Sequence, residues 1–119
     1  MKLHVTGLRS EKGEVRLCLF TARDAFPACE KGDGVRKLFV SAAGDVRVDI
    51  DGLAPGAYAV AALHDENVNR RLDKRLGIPR EGVGFSNNPR LGFGPPSFKA
   101  AHVDARGPTE VVVRMKYFL

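Results

Sequence analysis

Apolar and polar residues alternate along most of this sequence. A period of two places successive side chains on opposite faces of an extended strand, so that one face is buried and the other meets solvent. The β-branched and aromatic residues in the same stretches also favour strands. The three clearest stretches, "GEVRLCLF", "DVRVDIDGL" and "TEVVVRMKYF", predict a core-facing set made of Val15, Leu17, Leu19, Val46, Val48, Ile50, Val111, Val113 and Met115.

Turn-forming residues divide the alternating stretches into separate strands. "SEKG" is predicted to close a hairpin between the first two strands, and "AAGD", "DGLAPG" and "ARGPTE" separate later ones. Strands are expected at about residues 2–8, 14–21, 36–42, 45–51, 57–64, 98–104 and 110–118. This pattern predicts an all-β fold, a seven-stranded antiparallel β-sandwich of the immunoglobulin-like kind. The length of 119 residues suits a single domain, residues 1–119.

The segment from about 65 to 97 has no clear strand pattern. A loop of this length in a compact domain is functional, disordered or folded onto the domain. This one contains too many apolar residues for a disordered segment. We therefore expect one long ordered loop that covers an edge or end of the sandwich, with Phe85 and Phe98 as its anchors.

The charge pattern excludes some classes of partner. The formal net charge is +5, but Lys and Arg are interleaved with Asp and Glu. Nucleic-acid surfaces usually carry a one-sided basic stripe, often with stacking aromatic residues, so we expect no nucleic-acid partner. No apolar run approaches the roughly 20 residues that span a bilayer, so no transmembrane segment is predicted.

The stretch "HDENVNRRLD", residues 64–73, carries oxygen-bearing side chains that are candidate metal ligands: Asp65, Asn67, Asn69 and Asp73. Calcium loops of the EF-hand kind draw ligands from such alternating positions. However, the positions that normally hold Gly and Glu in those loops are Arg70 and Leu76 here. The alternative is a structural loop in which the same side chains accept hydrogen bonds from backbone N–H groups. We favour the structural loop, with no cofactor, and keep calcium as the alternative ligand.

His64 and three residues of "GFSNN" complete the set of loop residues that are candidates for ligand binding. A histidine beside a carboxylate can act as a general base or a metal ligand. A hydrolase would combine His64 with Asp65 or Ser86, but adjacent residues of a strand point to opposite faces, and Ser86 is not in a Gly-x-Ser-x-Gly elbow. Asn87 and Asn88 are predicted to form a turn. No residue is therefore predicted to be catalytic.

Cys18 and Cys29 are the two cysteines of the chain. They are too few for a Cys-only zinc site and lack the close Cys-x-x-Cys spacing. They form one disulfide in an oxidising compartment, or they remain reduced, buried thiols. The spacing leaves both alternatives open.

A longer stretch of the chain resembles a known family. "LAPGAYAVAALHDENVNRRLDKRLGIPREGVGFSNN" and the later "FGPPSF" are similar to the bacterial family called domain of unknown function 2141, closely from Leu53 to Phe98. The resemblance implies a transthyretin-like sandwich and export from the cytoplasm, but it implies no reaction. Export favours a Cys18–Cys29 disulfide. Many members carry Gly where this chain has Arg70, which weakens the calcium alternative.

These observations predict a non-catalytic cell-envelope module that binds or assists another molecule through its polar loop. The expected partner is an envelope protein or a small ligand. We expect a periplasmic or secreted protein whose leader is absent from this chain, with a cytoplasmic location as the alternative. A calcium-stabilised version of the same module, and then a hydrolase that uses His64, are the other hypotheses.

Overall fold

The computed structural model describes residues 1–21, 26–27, 36–68, 74–75, 78–79, 81–91 and 94–118. Its strands are β1 (Lys2–Thr6), β2 (Glu14–Phe20), β3 (Arg36–Ser41), β4 (Val46–Asp49), β5 (Gly56–Asp65), β6 (Lys74–Arg75), β7 (Ile78–Pro79), β8 (Gly82–Phe85), β9 (Val103–Ala105) and β10 (Glu110–Arg114). One short helix, α1 (Phe98–Ala101), lies between β8 and β9.

Two packed sheets contain eight of these strands. The small sheet has the order β10–β1–β4, and the large sheet has the order β3–β2–β5–β8, with β9 paired to the first residues of β5. Strands β6 and β7 pair only with each other among the described residues. None of the described helices has the length and apolarity needed to cross a membrane.

The predicted all-β sandwich is confirmed, with eight strands in the two sheets in place of seven. Two details of the prediction were wrong. The pairs are not all antiparallel, because β1 runs parallel to β10. "SEKG" does not close a hairpin, because β1 belongs to the small sheet and β2 to the large sheet. An alternating pattern shows which face a strand buries, but it does not show which strand lies beside it.

The main core lies between the two sheets. Eight of the nine predicted core residues are buried, and the ninth, Val48, is partly buried against the same cluster. The opposite face of β2 is buried as well. There Cys18 and Phe20 form a second cluster with Ala61, on the outside of the large sheet. Strand β2 is therefore covered on both faces.

Phe26 packs at the centre of this outer cluster. Its ring centroid lies 5.3 Å from that of Phe20, 5.9 Å from Phe85 and 6.2 Å from Phe98, in edge-to-face geometry. The two residues that we expected to anchor the long loop, Phe85 in β8 and Phe98 in α1, thus both pack against Phe26. Within the predicted loop, residues 69–73, 76–77, 80 and 92–93 lie outside the described residues, so the order of the whole loop stays a prediction.

Four elements in this region differ from the prediction: β6, β7 and β8 fall inside the predicted loop, and α1 falls inside a predicted strand. Strand β8 falls inside the predicted loop, because its inward positions are Gly82 and Gly84, which give no apolar alternation. A Cβ atom on Gly84 would lie 2.8 Å from Val113 Cγ1, so glycine permits the close approach of β8 to the small sheet. The predicted strand at 98–104 begins instead as α1, because the Ser97 hydroxyl accepts a hydrogen bond from the Ala100 N–H and caps a helical turn.

Candidate functional site

His64 lies near the end of β5, opposite Gly82 of β8, and its side chain is fully buried. Its Nε2 atom is 2.7 Å from the carbonyl oxygen of Lys12, and its Nδ1 atom is 2.6 Å from the hydroxyl of Tyr117. A carbonyl oxygen only accepts, so Nε2 carries the proton, and in the neutral ring Nδ1 accepts from the tyrosine hydroxyl. Both ring nitrogens are therefore occupied by partners from distant parts of the chain.

Tyr117 is held in place from three directions. Its hydroxyl accepts a hydrogen bond of 3.1 Å from the backbone N–H of Arg9, and the Arg9 guanidinium lies 4.6 Å from the centre of the ring. Below the ring, a Cβ atom on Gly82 would come within 2.4 Å of the ring carbon Cε2. Only glycine leaves room for the ring there. The tyrosine therefore joins the segment after β10 to β5, β8 and the β1–β2 connection.

Glu66 binds Arg9 on the side of these contacts that faces solvent. Its Oε1 atom accepts two bonds from the Arg9 guanidinium, at 3.0 and 2.6 Å, and its Oε2 atom accepts a bond of 2.7 Å from the Ser10 hydroxyl. The Arg9 side chain is 41% exposed and that of Glu66 is 24% exposed, so solvent screens this ion pair. We call Arg9, Ser10, His64, Glu66 and Tyr117 the His64 cluster.

The cluster shifts the pKa values of two of its members. The hydrogen bonds from Arg9 lower the pKa of the Glu66 carboxyl below its ordinary value of 4.5, with a further contribution from Ser10, although partial burial opposes the shift. Burial raises the pKa of the Tyr117 hydroxyl above 10.0. At neutral pH the carboxyl is charged and the hydroxyl keeps the proton that it donates to His64.

The candidate calcium ligands are only partly described. Asp65 is buried, with 1% of its surface exposed, and it lies opposite Glu14 in the pairing of β2 with β5. Asn67 is exposed, and Asn69 and Asp73 lie outside the described residues. In the part of the chain that is described, no group of three or more His, Cys, Asp or Glu side chains is placed to hold a metal ion. The choice between a structural loop and a calcium loop therefore stays a prediction.

The backbone of the Asp65 loop is closely packed against the β1–β2 turn. A Cβ atom on Gly13 would lie 2.0 Å from the Asp65 carbonyl oxygen, and Gly13 has a positive φ of +72°. Glycine is required there both by the space and by the backbone conformation. Val68 also has a positive φ, of 54°, in the chain that follows.

Ser86, Asn87 and Asn88 form a junction between three elements. The fully buried Ser86 hydroxyl accepts a bond of 2.8 Å from the Val60 N–H and donates one of 2.5 Å to the Ala101 carbonyl. The Asn87 side-chain amide donates to the Ala100 carbonyl at 2.9 Å. Asn87 and Asn88 have φ values of 63° and 41°, so the predicted turn is present. These side chains connect β5, α1 and β8.

Asn88 also binds the outer edge of β10. Its side-chain N–H donates to the Val112 carbonyl at 2.8 Å, and its side-chain oxygen accepts from the Arg114 N–H at 2.9 Å. A single amide side chain thus satisfies one donor and one acceptor of the strand edge, as a neighbouring strand would.

Ser86 and His64 do not form a catalytic pair. Ser86 lies level with Val60, and His64 is four residues further along β5, which corresponds to about 13 Å in an extended strand. Asp65 follows His64 directly and points to the other face of the strand, as expected. His64 instead contacts Tyr117 and the Lys12 carbonyl, and Arg9 links Tyr117 to Glu66. These partners could not be predicted from the sequence, because the pairings of His64 with Tyr117 and Lys12 join residues far apart along the chain.

Cys18 is disulfide-bonded and fully buried on the outer face of β2. The other cysteine, Cys29, lies outside the described residues. The position of Cys18 in the outer cluster places the bond beside Phe20 and Ala61. The pairing of Cys18 with Cys29 stays a prediction.

The fold and the site define a two-sheet β-sandwich in which the buried side chains of His64 and Ser86 form hydrogen bonds to Tyr117 and to the backbone. The sequence pattern of the family described as "Uncharacterized protein conserved in bacteria", domain of unknown function 2141, matches residues 3–113, and the chain belongs to this family. No curated protein and no solved structure matches the chain significantly. Export and the transthyretin-like relationship stay predictions.

Proposed function

We propose that this protein is a non-catalytic binding module of the bacterial cell envelope. The observation that carries the proposal is the state of His64, whose two ring nitrogens are bonded to Tyr117 and Lys12 in a fully buried position. A general base must reach the proton that it removes, directly or through one water molecule. A buried ring with two internal partners has no nitrogen available for a substrate.

The Ser86 hydroxyl supports the same proposal. A nucleophilic serine needs an adjacent base and access to the substrate. Here the hydroxyl accepts from Val60 and donates to Ala101, and it has no solvent exposure. Removal of its proton would break the bond to a buried carbonyl. The role that fits these contacts is to fix α1 against β5.

The disulfide bond of Cys18 supports a location outside the cytoplasm. Disulfides persist mainly in oxidising compartments such as the periplasm and the extracellular space. In such a location the module would bind an envelope protein or a small ligand through its exposed surface. Its rigid cluster of internal hydrogen bonds would hold that surface in one conformation before binding, which lowers the entropic cost of the complex.

The test of the non-catalytic role is a turnover assay with the folded wild-type protein. Chromogenic carboxylic esters, phosphate esters and peptide anilides would be incubated with the protein and with Ser86→Ala. We expect no product above the rate of the buffer blank for any substrate. Turnover by the wild type that Ser86→Ala abolishes, with the variant still folded by circular dichroism, would overturn the proposal.

The location is tested separately. Cell fractions of the native bacterium would be probed for the protein after trapping free thiols with a maleimide reagent. We expect the protein in the envelope or secreted fraction, with no labelled thiol before reduction. Recovery from the cytoplasmic fraction with both cysteines labelled would contradict the envelope location.

A further inference from the structure

The two sides of the sandwich differ in how their strand edges are covered. On one side, β8 and the chain after β10 are joined by two backbone bonds between Val83 and Lys116, at 2.9 and 2.8 Å. Asn88 covers the neighbouring edge of β10. On the other side, β3 and β4 are the last strands of their sheets in the described part of the chain. The strand edges of the first side are paired or covered, whereas the two edges of the second side have no neighbouring strand among the described residues.

Of these two edges, β4 is poorly suited to pair with another strand. It has four residues, Val46–Asp49. Its start is fixed by Asp45, whose carboxylate accepts a hydrogen bond of 2.6 Å from Arg47 and lies 2.9 Å from the His4 Nε2 atom. Short edge strands with charged side chains resist pairing with other chains.

Strand β3 has the opposite character. It has six residues, Arg36–Ser41, and its centre, Leu38–Val40, contains neither a charge nor a proline or glycine. Leu38 and Val40 pack against the main core, whereas Phe39, which is 37% exposed, faces outward opposite Arg16. An edge strand with an uncharged, β-prone centre is a template for the addition of a further strand.

The charges of β3 indicate the chemistry of the partner. Arg36 and Lys37 are both exposed at the start of the strand. Lys37 is opposite Cys18 and so lies on the outer face, whereas Arg36 is opposite Leu19 and reaches over the inner rim towards Gly52. Cations therefore flank the edge on both sides, in a chain with a net charge of +5. This arrangement attracts a negatively charged segment.

We propose that the edge of β3 binds an extended acidic peptide segment of another protein, which adds as a further strand to the large sheet. Backbone hydrogen bonds would supply the pairing, and Arg36 and Lys37 would select acidic side chains. The inference deepens the proposed function and rests on it, because it names the partner of a binding module. Charged side chains on an edge strand can also prevent pairing with another strand. In β3, however, Arg36 and Lys37 lie at one end of the strand and leave Leu38–Val40 uncharged.

The test uses a fluorescent peptide that alternates glutamate with valine and a matched peptide that alternates lysine with valine. Anisotropy titrations would measure the binding of each to the wild type and to Lys37→Glu. We expect the acidic peptide to bind more tightly than the basic one, and Lys37→Glu to weaken the acidic peptide by about tenfold, since an attraction becomes a repulsion. Arg106→Glu is the control with the same charge change. Arg106 follows β9, which lies three strand spacings, about 14 Å, from β3, beyond the Debye length at physiological salt.

The position of the peptide is read from backbone amide NMR shifts. We expect the largest shifts, and slower hydrogen exchange, within residues 36–41. Three results would each overturn the inference: equal binding of the two peptides, shifts confined to another surface, or concentration-dependent dimerisation through β3 without peptide binding. An absence of peptide binding together with an absence of turnover would refute this inference alone. Turnover that Ser86→Ala abolishes would refute the proposed function.

Discussion

Replacement of Tyr117 by phenylalanine removes one hydroxyl and leaves the ring against Gly82 and Arg9. The His64 Nδ1 atom then loses its donor in a fully buried position. A buried acceptor without a partner costs about 1–3 kcal/mol, whereas the Arg9 N–H lies at the exposed surface and can bond to water. We therefore expect Tyr117→Phe to lower the free energy of unfolding by about 2 kcal/mol. In a chain of this size, the melting temperature would fall by roughly 8 °C.

The other tyrosine of the chain provides a matched control. The Tyr58 hydroxyl donates to the Ala54 carbonyl at 2.6 Å, and Ala54 is exposed, so water can replace the hydroxyl. Tyr58→Phe should lower the free energy of unfolding by less than about 1 kcal/mol. Urea denaturation of the three proteins, with linear extrapolation to water, measures the difference. Equal losses in the two variants, or a loss below about 0.5 kcal/mol in Tyr117→Phe, would refute the assigned role of the hydroxyl.

Three further predictions concern the same region. Gly82→Ala should destabilise the fold by about 1–3 kcal/mol in urea denaturation, because the new Cβ atom overlaps the Tyr117 ring; an unchanged urea midpoint would contradict this packing. The pKa of the Glu66 carboxyl is lower in the folded state than its ordinary value of 4.5. The stabilisation by the charged carboxyl is therefore present above pH 4.5 and is lost as the pH falls through the folded pKa. The urea midpoint of the wild type should therefore drop below pH 4.5 more steeply than that of Glu66→Gln, and parallel profiles would argue against the pair with Arg9. Asp65→Ala should lower the melting temperature equally in EDTA and in millimolar calcium, whereas a wild-type gain in calcium that the variant lacks would identify a metal site.

The sequence was sufficient to predict the faces of the strands. Alternation in β2 and β10 placed Leu17 and Val113 correctly in the main core. The same rule predicts that His64 and Asp65 lie on opposite faces of one strand, which argues against a catalytic triad. These predictions succeeded because they depend on local backbone geometry alone.

The sequence was not sufficient where glycine or distant pairing determines the structure. Strand β8 escaped prediction because Gly82 and Gly84 replace the apolar residues that would have marked its inner face. The partners of His64 also escaped prediction, since Lys12 and Tyr117 are 52 and 53 residues away along the chain. The parallel pairing of β1 with β10 and the passage of the chain from the small sheet to the large sheet between β1 and β2 bring these groups together.

We propose that His64 stabilises the fold through its hydrogen bonds to Tyr117 and to the Lys12 carbonyl. The most direct test is the nitrogen-15 NMR spectrum of the His64 ring in the wild-type protein at neutral pH. We predict a proton on Nε2 that exchanges slowly with water, because the ring is buried and Nε2 donates to the Lys12 carbonyl. A ring that exchanges rapidly with solvent, or that carries its proton on Nδ1 alone, would contradict the account.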